Sequence, residues 1–250
     1  MKCVFKKPEA INDAVMHYCP GCGHGIAHRL VAEALDHFGI TGRTVGVAPV
    51  GCAVLMYDYF NCDVLEAPHG RAPAIATGMK RTRPDMIIFT YQGDGDLASI
   101  GLSEIVHCAN RGENVTIIFI NNTVYGMTGG QMAPTTLLGQ STTTSPFGRN
   151  LNADGYPIRM AEILSTLEGT SFVARMALDS PGNILKAKKM VFTAFDMQVR
   201  NIGFSFVELL STCPTNWGLS PSASVRRLKE ELVPYFPLGV FKEKEKADYL

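Results

Sequence analysis

The sequence predicts an α/β fold in which a central, mostly parallel sheet is flanked by helices on both faces. Three observations carry that expectation. Met86–Tyr91 is a β-branched and aromatic run of strand length, and Val115–Asn121 is apolar nearly throughout. Strands of that kind are buried on both faces, as in parallel sheets covered by helices. Between them Ser99–Arg111 shows the apolar spacing of an amphipathic helix, and strand, helix, strand at this separation is a βαβ unit.

The elements follow in order. His24 to Phe38 sets Ile26, Ala27, Leu30, Val31, Ala34, Leu35 and Phe38 on one helical face, and Gly39 is a good C-terminal stop. Thr44–Val47 reads as a short strand. Arg71–Arg83 is Ala-rich and helical, ended by Pro84. The strand at 86–91, the helix at 99–111 with Gly112 after it, and the strand at 115–121 come next. Residues 127–157 are dominated by Gly, Thr, Ser, Pro and Asn and read as a long loop, which at that length is usually functional or disordered. Phe172–Ala177 is a strand, Asn183–Arg200 a helix and Phe204–Leu210 a strand. The tail, 226–250, carries many charges and is expected to be peripheral. No repeat or linker interrupts the chain, so residues 1–250 read as one domain.

Lys and Arg number 23 against 23 Asp and Glu, which gives no electrostatic reason to expect nucleic acid or an anionic membrane as partner. Apolar runs such as Ala53–Tyr57 and Ile117–Ile120 fall far short of the roughly 20 residues of a membrane span. The first residues, Met1 to Pro8, hold no apolar stretch of signal-peptide length, so the expectation is a soluble cytoplasmic protein. Seven cysteines, an odd count without an export signal, favour metal or redox chemistry over disulfides.

The strand 86–91 runs into Gln92-Gly93-Asp94-Gly95-Asp96, and a helix follows. Glycines at a strand-to-helix turn let the backbone approach a phosphate, and the helix N-terminus offers free N–H groups. A carboxylate there would repel phosphate unless Mg²⁺ sat between them, since Mg²⁺ favours one or two carboxylates plus phosphate oxygens. The next buried strand ends in Asn121-Asn122-Thr123-Val124-Tyr125-Gly126. Neighbouring parallel strands deliver their ends to one crevice, so Asp94 and the Asn pair should meet, with the Val124 carbonyl as a third ligand. An ordinary turn and strand terminus is the plain alternative to each motif alone. Their pairing around one helix favours a diphosphate–Mg²⁺ site.

Cys19-Pro20-Gly21-Cys22 is a C-x-x-C, and Cys52 and Cys213 also sit beside Gly or Pro. Cys3, Cys62 and Cys108 lack that setting, and Cys108 falls inside a helix as a small buried hydrophobe. A redox dithiol, half a zinc ribbon, a Zn²⁺ site and a [4Fe–4S] cluster all remain open from spacing alone.

Gly-Asp-Gly followed by Asn-Asn at this distance resembles the thiamine-diphosphate-binding motif. Cys19-Pro20-Gly21-Cys22-Gly23-His24, Val50-Gly51-Cys52, His69-Gly70-Arg71, Gly93-Asp94-Gly95-Asp96, Tyr125-Gly126-Met127-Thr128-Gly129-Gly130-Gln131 and Cys213-Pro214-Thr215 occur in this order. That order, over about residues 15–215, is similar to the β subunit of the 2-oxoacid:ferredoxin oxidoreductases, and most like those acting on 2-oxoisovalerate or 2-oxoglutarate.

The resemblance implies the thiamine-diphosphate-binding fold, with Asp94, Asn122 and the Val124 carbonyl on Mg²⁺ and Asn121 as the alternative ligand one position away. It implies Gly51, Cys52, Gly70, Gly93, Gly95, Asp96, Gly126 and Met127 around the cofactor, and Cys19, Cys22, Cys52 and Cys213 on a [4Fe–4S] cluster. His69 is placed near the cofactor as a hydrogen-bond donor, with helix capping as its plain alternative. His24 matches a family position too, whereas His17, His28, His37 and His107 read as ordinary helix or surface residues. Tyr125 and Met132 read as packing.

The implied reaction is oxidative decarboxylation of a 2-oxo acid, its acyl group passing to coenzyme A and its electrons to ferredoxin. Many members of that family carry a basic residue shortly after the third cysteine. Here Ala53-Val54-Leu55-Met56-Tyr57 follows Cys52, which favours an apolar substrate tail. The chain shows no Glu suited to the cofactor's pyrimidine ring and no ferredoxin-like C-x-x-C-x-x-C run. An α subunit, with γ and ferredoxin-like δ subunits as further partners, is therefore expected to complete it. Two rival readings are a non-oxidative thiamine-dependent lyase with a structural metal, and a non-catalytic iron–sulfur electron-transfer module.

Overall fold

The computed structural model describes residues 6–244; residues 1–5, Cys3 among them, and 245–250 lie outside the described part. In chain order the strands are β1 (Thr44–Ala48), β2 (Asp63–Glu66), β3 (Ile87–Gly93), β4 (Thr116–Asn121), β5 (Val124–Tyr125), β6 (Gln131–Met132), β7 (Thr170–Ala177), β8 (Phe204–Leu210) and β9 (Gly239–Glu243). The main helices that cover the sheet are α1 (His24–Phe38), α3 (Ala72–Thr82), α4 (Leu102–Asn110), α7 (Pro181–Val199) and the six-residue α6 (Met160–Ser165). Short ones are α2 (Met56–Tyr59), α5 (Leu151–Asp154), α8 (Pro214–Trp217), α9 (Pro221–Arg227) and α10 (Val233–Tyr235).

One sheet has the order β2-β1-β3-β4-β8-β7-β9, and β5 and β6 form a separate small hairpin. Every neighbouring pair of the large sheet is parallel except β7 with β9. Strand periodicity of two divides its side chains between two cores. Ile118, Ile120, Phe89 and Tyr91 pack with Leu30, Val31 and Leu35 of α1 and Val191 and Phe195 of α7. Ile117, Phe119 and Ile88 pack with Ala76 of α3, Ile105 and Ala109 of α4 and Met160 and Leu164 of α6. Each fully buried Phe or Leu of these layers contributes roughly 1.5–3 kcal/mol. The mostly parallel sheet with helices on both faces is as the sequence predicts.

Several boundaries and three larger features differ from expectation. The helix expected from Ser99 begins instead with a π turn, Asp96–Ile100, closed by the Gly101 N–H on the Asp96 carbonyl; such turns are frequent at functional sites. Helix α7 starts two residues before Asn183, because Ser180 caps it through the Asn183 N–H and Pro181 occupies its first turn.

The 127–157 segment is ordered. Buried Arg149 donates to six backbone carbonyls, those of Ala133, Pro134, Thr136, Asp154, Gly155 and Tyr156, and ties the segment to itself. The tail expected at 226–250 is not peripheral over its described part. Leu228, Leu232 and Phe236 are fully buried against Leu137, Ala177 and Leu210, and β9 adds an antiparallel edge strand beside β7.

Candidate functional site

Strands β1, β3, β4 and β8 run parallel, so their C-terminal ends open at one edge of the sheet. From those ends leave Pro49–Cys52, Asp94, Asn122 and Cys213. Strands β2 and β3 flank β1 on opposite sides, and the divergence of connections at such a point leaves a crevice suited to a ligand. The pocket there is lined by His24, Pro49, Val50, Gly51, Cys52, Ala53, His69, Gly93, Asp94, Gly95, Asp96, Asn122, Val124, Tyr125, Gly126, Met127 and Thr128. Of the residues in the Gly-Asp-Gly and Asn-Asn motifs, all border it except Gln92, Asn121 and Thr123; Gly70 reaches it only through its N–H on Asp96.

Asp94 is 2% exposed at the end of β3. Its Oδ1 accepts from the Gly95 N–H at 3.0 Å and its Oδ2 from the Thr135 hydroxyl at 2.5 Å. Burial pushes its carboxyl up to about 7, outweighing those hydrogen bonds. Asn122 follows β4 and is nearly buried, its Oδ1 accepting from the Val124 N–H at 3.3 Å. Asn121 points elsewhere. Its amide donates to Glu208 at 2.8 Å, and Glu208 forms a fully buried ion pair with Arg175 at 2.9 Å. Between the two asparagines and Val124, Thr123 adopts φ 63°, a left-handed conformation that costs a branched residue about 1–2 kcal/mol. Thr136 and Gln140 hold that turn by donating to the Thr123 carbonyl at 2.6 and 3.2 Å.

Asp96 has a different part from Asp94. Its Oδ1 accepts from the Gly70 N–H at 2.9 Å and the Val50 N–H at 3.4 Å, and lies 2.6 Å from His69 Nδ1. Its Oδ2 accepts from Gln92 at 2.5 Å. The carboxylate is thus occupied by protein groups and fastens three loops around the pocket. Gly70 has φ 77°, and a Cβ there would meet the Gly101 backbone N at 2.6 Å, so only glycine seats this turn against the start of the helix. The imidazole of His69 is one-third exposed at the pocket's rim.

The four singled-out cysteines gather beside the same pocket. The C-x-x-C turn is closed by the Cys22 N–H on the Cys19 carbonyl at 3.0 Å and leads into the N-terminus of α1. Backbone N–H groups of Gly23 and His24 point at the Cys22 sulfur, the helix-terminus setting that favours a thiolate. Burial, reinforced by the neighbouring cysteines, pushes the Cys22 thiol up to about 11 and that of Cys52 to about 12. A Cβ on Gly126 would lie 3.0 Å from Cys52 Sγ, 3.8 Å from Cys213 Sγ and 3.7 Å from Asn122 Nδ2. Among the described residues no three His, Cys, Asp or Glu side chains converge tightly enough to hold a single metal ion. Cys62 does not line the pocket, and Cys108, on the inner face of α4, is fully buried in the core.

Sequence reasoning missed Thr135, Asn216 and Trp217, whose partners lie in distant segments, and the role of Gln92, which bonds Asp96 four residues on. It also read His28 as an ordinary helix or surface residue. His28 is fully buried, its Nε2 3.1 Å from the Tyr18 hydroxyl and its ring stacked on Phe60 and edge-on to Tyr91. His24, also buried, bonds the Tyr91 hydroxyl at 2.9 Å.

Residues 49–207 match the family model of the thiamine pyrophosphate enzyme C-terminal TPP-binding domain. The chain is 35% identical to the 2-oxoglutarate synthase subunit KorB of Methanocaldococcus jannaschii, across 86% of this chain and 78% of that protein. It belongs to the thiamine-pyrophosphate-binding subunits of the 2-oxoacid oxidoreductases. A second such subunit, ketoisovalerate oxidoreductase subunit VorA of Methanothermobacter thermautotrophicus, is 47% identical over 97% of this chain and 53% of its own length. The chain therefore spans about half of that relative. Among solved structures, a 2-oxoglutarate:ferredoxin oxidoreductase from Magnetococcus marinus with 2-oxoglutarate, coenzyme A and succinyl-CoA bound superposes with a TM-score of 0.78 at 24% identity. That match covers 97% of this chain and 86% of the other, and it shows a shared fold. No helix among the described residues is long and apolar enough to cross a membrane.

Proposed function

We propose that this chain is the β subunit of a 2-oxoacid:ferredoxin oxidoreductase, holding Mg²⁺–thiamine diphosphate and a [4Fe–4S] cluster side by side. The observation that carries the reading is the position of Gly126. A Cβ placed there would have the Cys52 sulfur at 3.0 Å, the Asn122 amide at 3.7 Å and the Cys213 sulfur at 3.8 Å, so residues of both expected sites meet at one point.

The residues present fit both groups. Asp94 is a buried carboxyl with no cationic partner, and a divalent ion would relieve the penalty that burial imposes. With Asn122 and the Val124 carbonyl it makes an all-oxygen donor set suited to Mg²⁺. Four cysteine sulfurs from three segments, the 19–22 turn, Cys52 and Cys213, make an all-thiolate donor set of the kind that holds an iron–sulfur centre. Thiamine diphosphate, when bound, supplies a carbon nucleophile and an electron sink for cleavage next to a carbonyl.

The chain's own residues do the rest. Asp94, Asn122 and the Val124 carbonyl would hold the metal and through it the diphosphate, while Gly95 has no side chain because the Tyr125 ring fills that space. His69, aligned by Asp96, offers an imidazole at the mouth where substrate enters. Overall, a 2-oxo acid and coenzyme A yield acyl-CoA, CO₂, a proton and a pair of electrons that leave singly through the cluster to ferredoxin. Ala53 to Tyr57 present no cation to a second carboxylate, and the relative of 47% identity is a ketoisovalerate oxidoreductase subunit, so the branched-chain 2-oxoisovalerate is the preferred substrate. No glutamate lines the pocket among the described residues, which supports completion of the site by an α subunit, with γ and δ subunits and ferredoxin beyond.

The test is anaerobic purification of the assembled complex, assay of iron, sulfide, Mg²⁺ and thiamine diphosphate, and a screen of 2-oxo acids with coenzyme A and a one-electron acceptor. Iron–sulfur, cofactor and 2-oxoisovalerate turnover are expected. Stoichiometric zinc with simple decarboxylation would replace the reading by a non-oxidative lyase, and iron without thiamine diphosphate by an electron-transfer module.

A further inference from the structure

Asn216 sits in the four-residue helix α8 that begins directly after Cys213. Its Nδ2 lies 3.2 Å from Cys213 Sγ and 2.8 Å from the Gly126 carbonyl oxygen. A carboxamide nitrogen carries two hydrogens, so one group serves both acceptors at once. The side chain is held from the other side by Gly130, where a Cβ would lie only 3.0 Å from that of Asn216. Next to it, Trp217 donates its indole N–H to the Asn122 carbonyl at 3.1 Å, under the guanidinium of Arg227. Helix α8 thereby fastens the Cys213 sulfur to both ends of the Asn122–Gly126 turn.

We propose that Asn216 is a positioning residue that tunes the reduction potential of the iron bound at Cys213 while clamping the Gly126 turn against it. The inference rests on the cluster assignment above and adds to it. An N–H directed at a cluster sulfur stabilises the more negative, reduced state, and so raises the potential. The same amide, through the Gly126 carbonyl, sets the backbone that faces the diphosphate. Trp217 supports the turn from the Asn122 side without touching sulfur, so the two side chains divide the work.

Redox titration of the anaerobic complex, followed by electron paramagnetic resonance, tests this. Asn216→Ala, which removes the donor, is expected to shift the potential to more negative values. Asn216→Asp, which replaces the donor by a negative charge, is expected to shift it further. Both should weaken thiamine diphosphate binding. Trp217→Phe is expected to weaken cofactor binding while leaving the potential at its wild-type value. If Asn216→Ala loses its iron, Asn216→Ser, which keeps a small polar group there, is titrated in its place, with the same negative shift expected. An unchanged potential in the Asn216 variants, or an equal shift in Trp217→Phe, overturns the inference while leaving the cluster assignment standing. A wild-type complex without iron and sulfide removes the assignment and the inference together.

Discussion

The Thr135 hydroxyl donates to Asp94 Oδ2 at 2.5 Å, joining the 127–157 segment to the end of strand β3. That bond holds the carboxylate in one rotamer and opposes the rise in its pKa that burial causes. A residue in direct contact with a ligand but not with the ion typically changes metal affinity 10–100-fold when lost. Thr135→Val keeps the shape and removes the donor. We expect the Mg²⁺ concentration needed for half-maximal thiamine diphosphate binding to rise by about tenfold, read by calorimetry at fixed cofactor. Unaltered Mg²⁺ dependence would leave Thr135 with a packing role only.

Gly126 provides the sharpest steric test. Its backbone is not in the left-handed region, so alanine is tolerated conformationally and the effect of Gly126→Ala comes from the methyl alone. That methyl would stand 3.0 Å from Cys52 Sγ, tighter than ordinary van der Waals contact. The expected outcome is substoichiometric iron and sulfide in a folded protein. Gly182→Ala, in the first turn of α7 with nothing within 4 Å of the added carbon, is the control and should keep its full complement.

What the sequence revealed of this site is what short-range chemistry encodes. Asp94 and Asn122 stand at the ends of apolar strands, and parallel pairing carries strand ends to one edge without further instruction. The cysteines were visible by type and by their Gly and Pro neighbours. Thr135 and Asn216 were not, because each acts on a segment far away in sequence, and Arg149 was not, because nothing in a Gly- and Pro-rich loop marks which arginine will bind its carbonyls. Strand β2 escaped notice because it is a polar edge strand, with Asp63, Leu65 and Glu66 all exposed. The tail did carry a signal. Leu228, Leu232 and Phe236 recur every four residues, the stripe of a buried helical face, but the charges between them suggested a solvated segment.

Arg149 orders the 127–157 segment through six backbone carbonyls rather than through a carboxylate partner. Lysine has three donors on a point charge and cannot reproduce that planar fork. Arg149→Lys leaves several buried carbonyls without partners, at about 1–3 kcal/mol each where water cannot enter. The expected result is a lower denaturant midpoint with an unchanged m-value, and protease cleavage appearing between residues 127 and 157 before global unfolding. Wild-type resistance to cleavage in that variant would mean the segment is ordered by other contacts.

The buried histidines give the fold an acid limit. His28 is enclosed by Tyr18, Phe60, Tyr91, Tyr59 and His24, with no carboxylate among these ring neighbours. Burial holds its pKa well below the ordinary 6.5. The unfolded chain therefore binds a proton near pH 6.5 that the folded chain refuses, so stability is present above that pH and falls as the solution is acidified through it. At pH 5.5 the loss from this one group is about 1.4 kcal/mol relative to pH 7.5. His28→Gln keeps a polar partner for the Tyr18 hydroxyl and removes the titration. We expect the variant to be less stable than wild type at pH 7.5 but to close that gap by about 1.4 kcal/mol at pH 5.5, measured from denaturant midpoints. A gap that stays constant across that interval would show that His28 accepts its proton in the folded state, contrary to the neutral aromatic cage in which it sits.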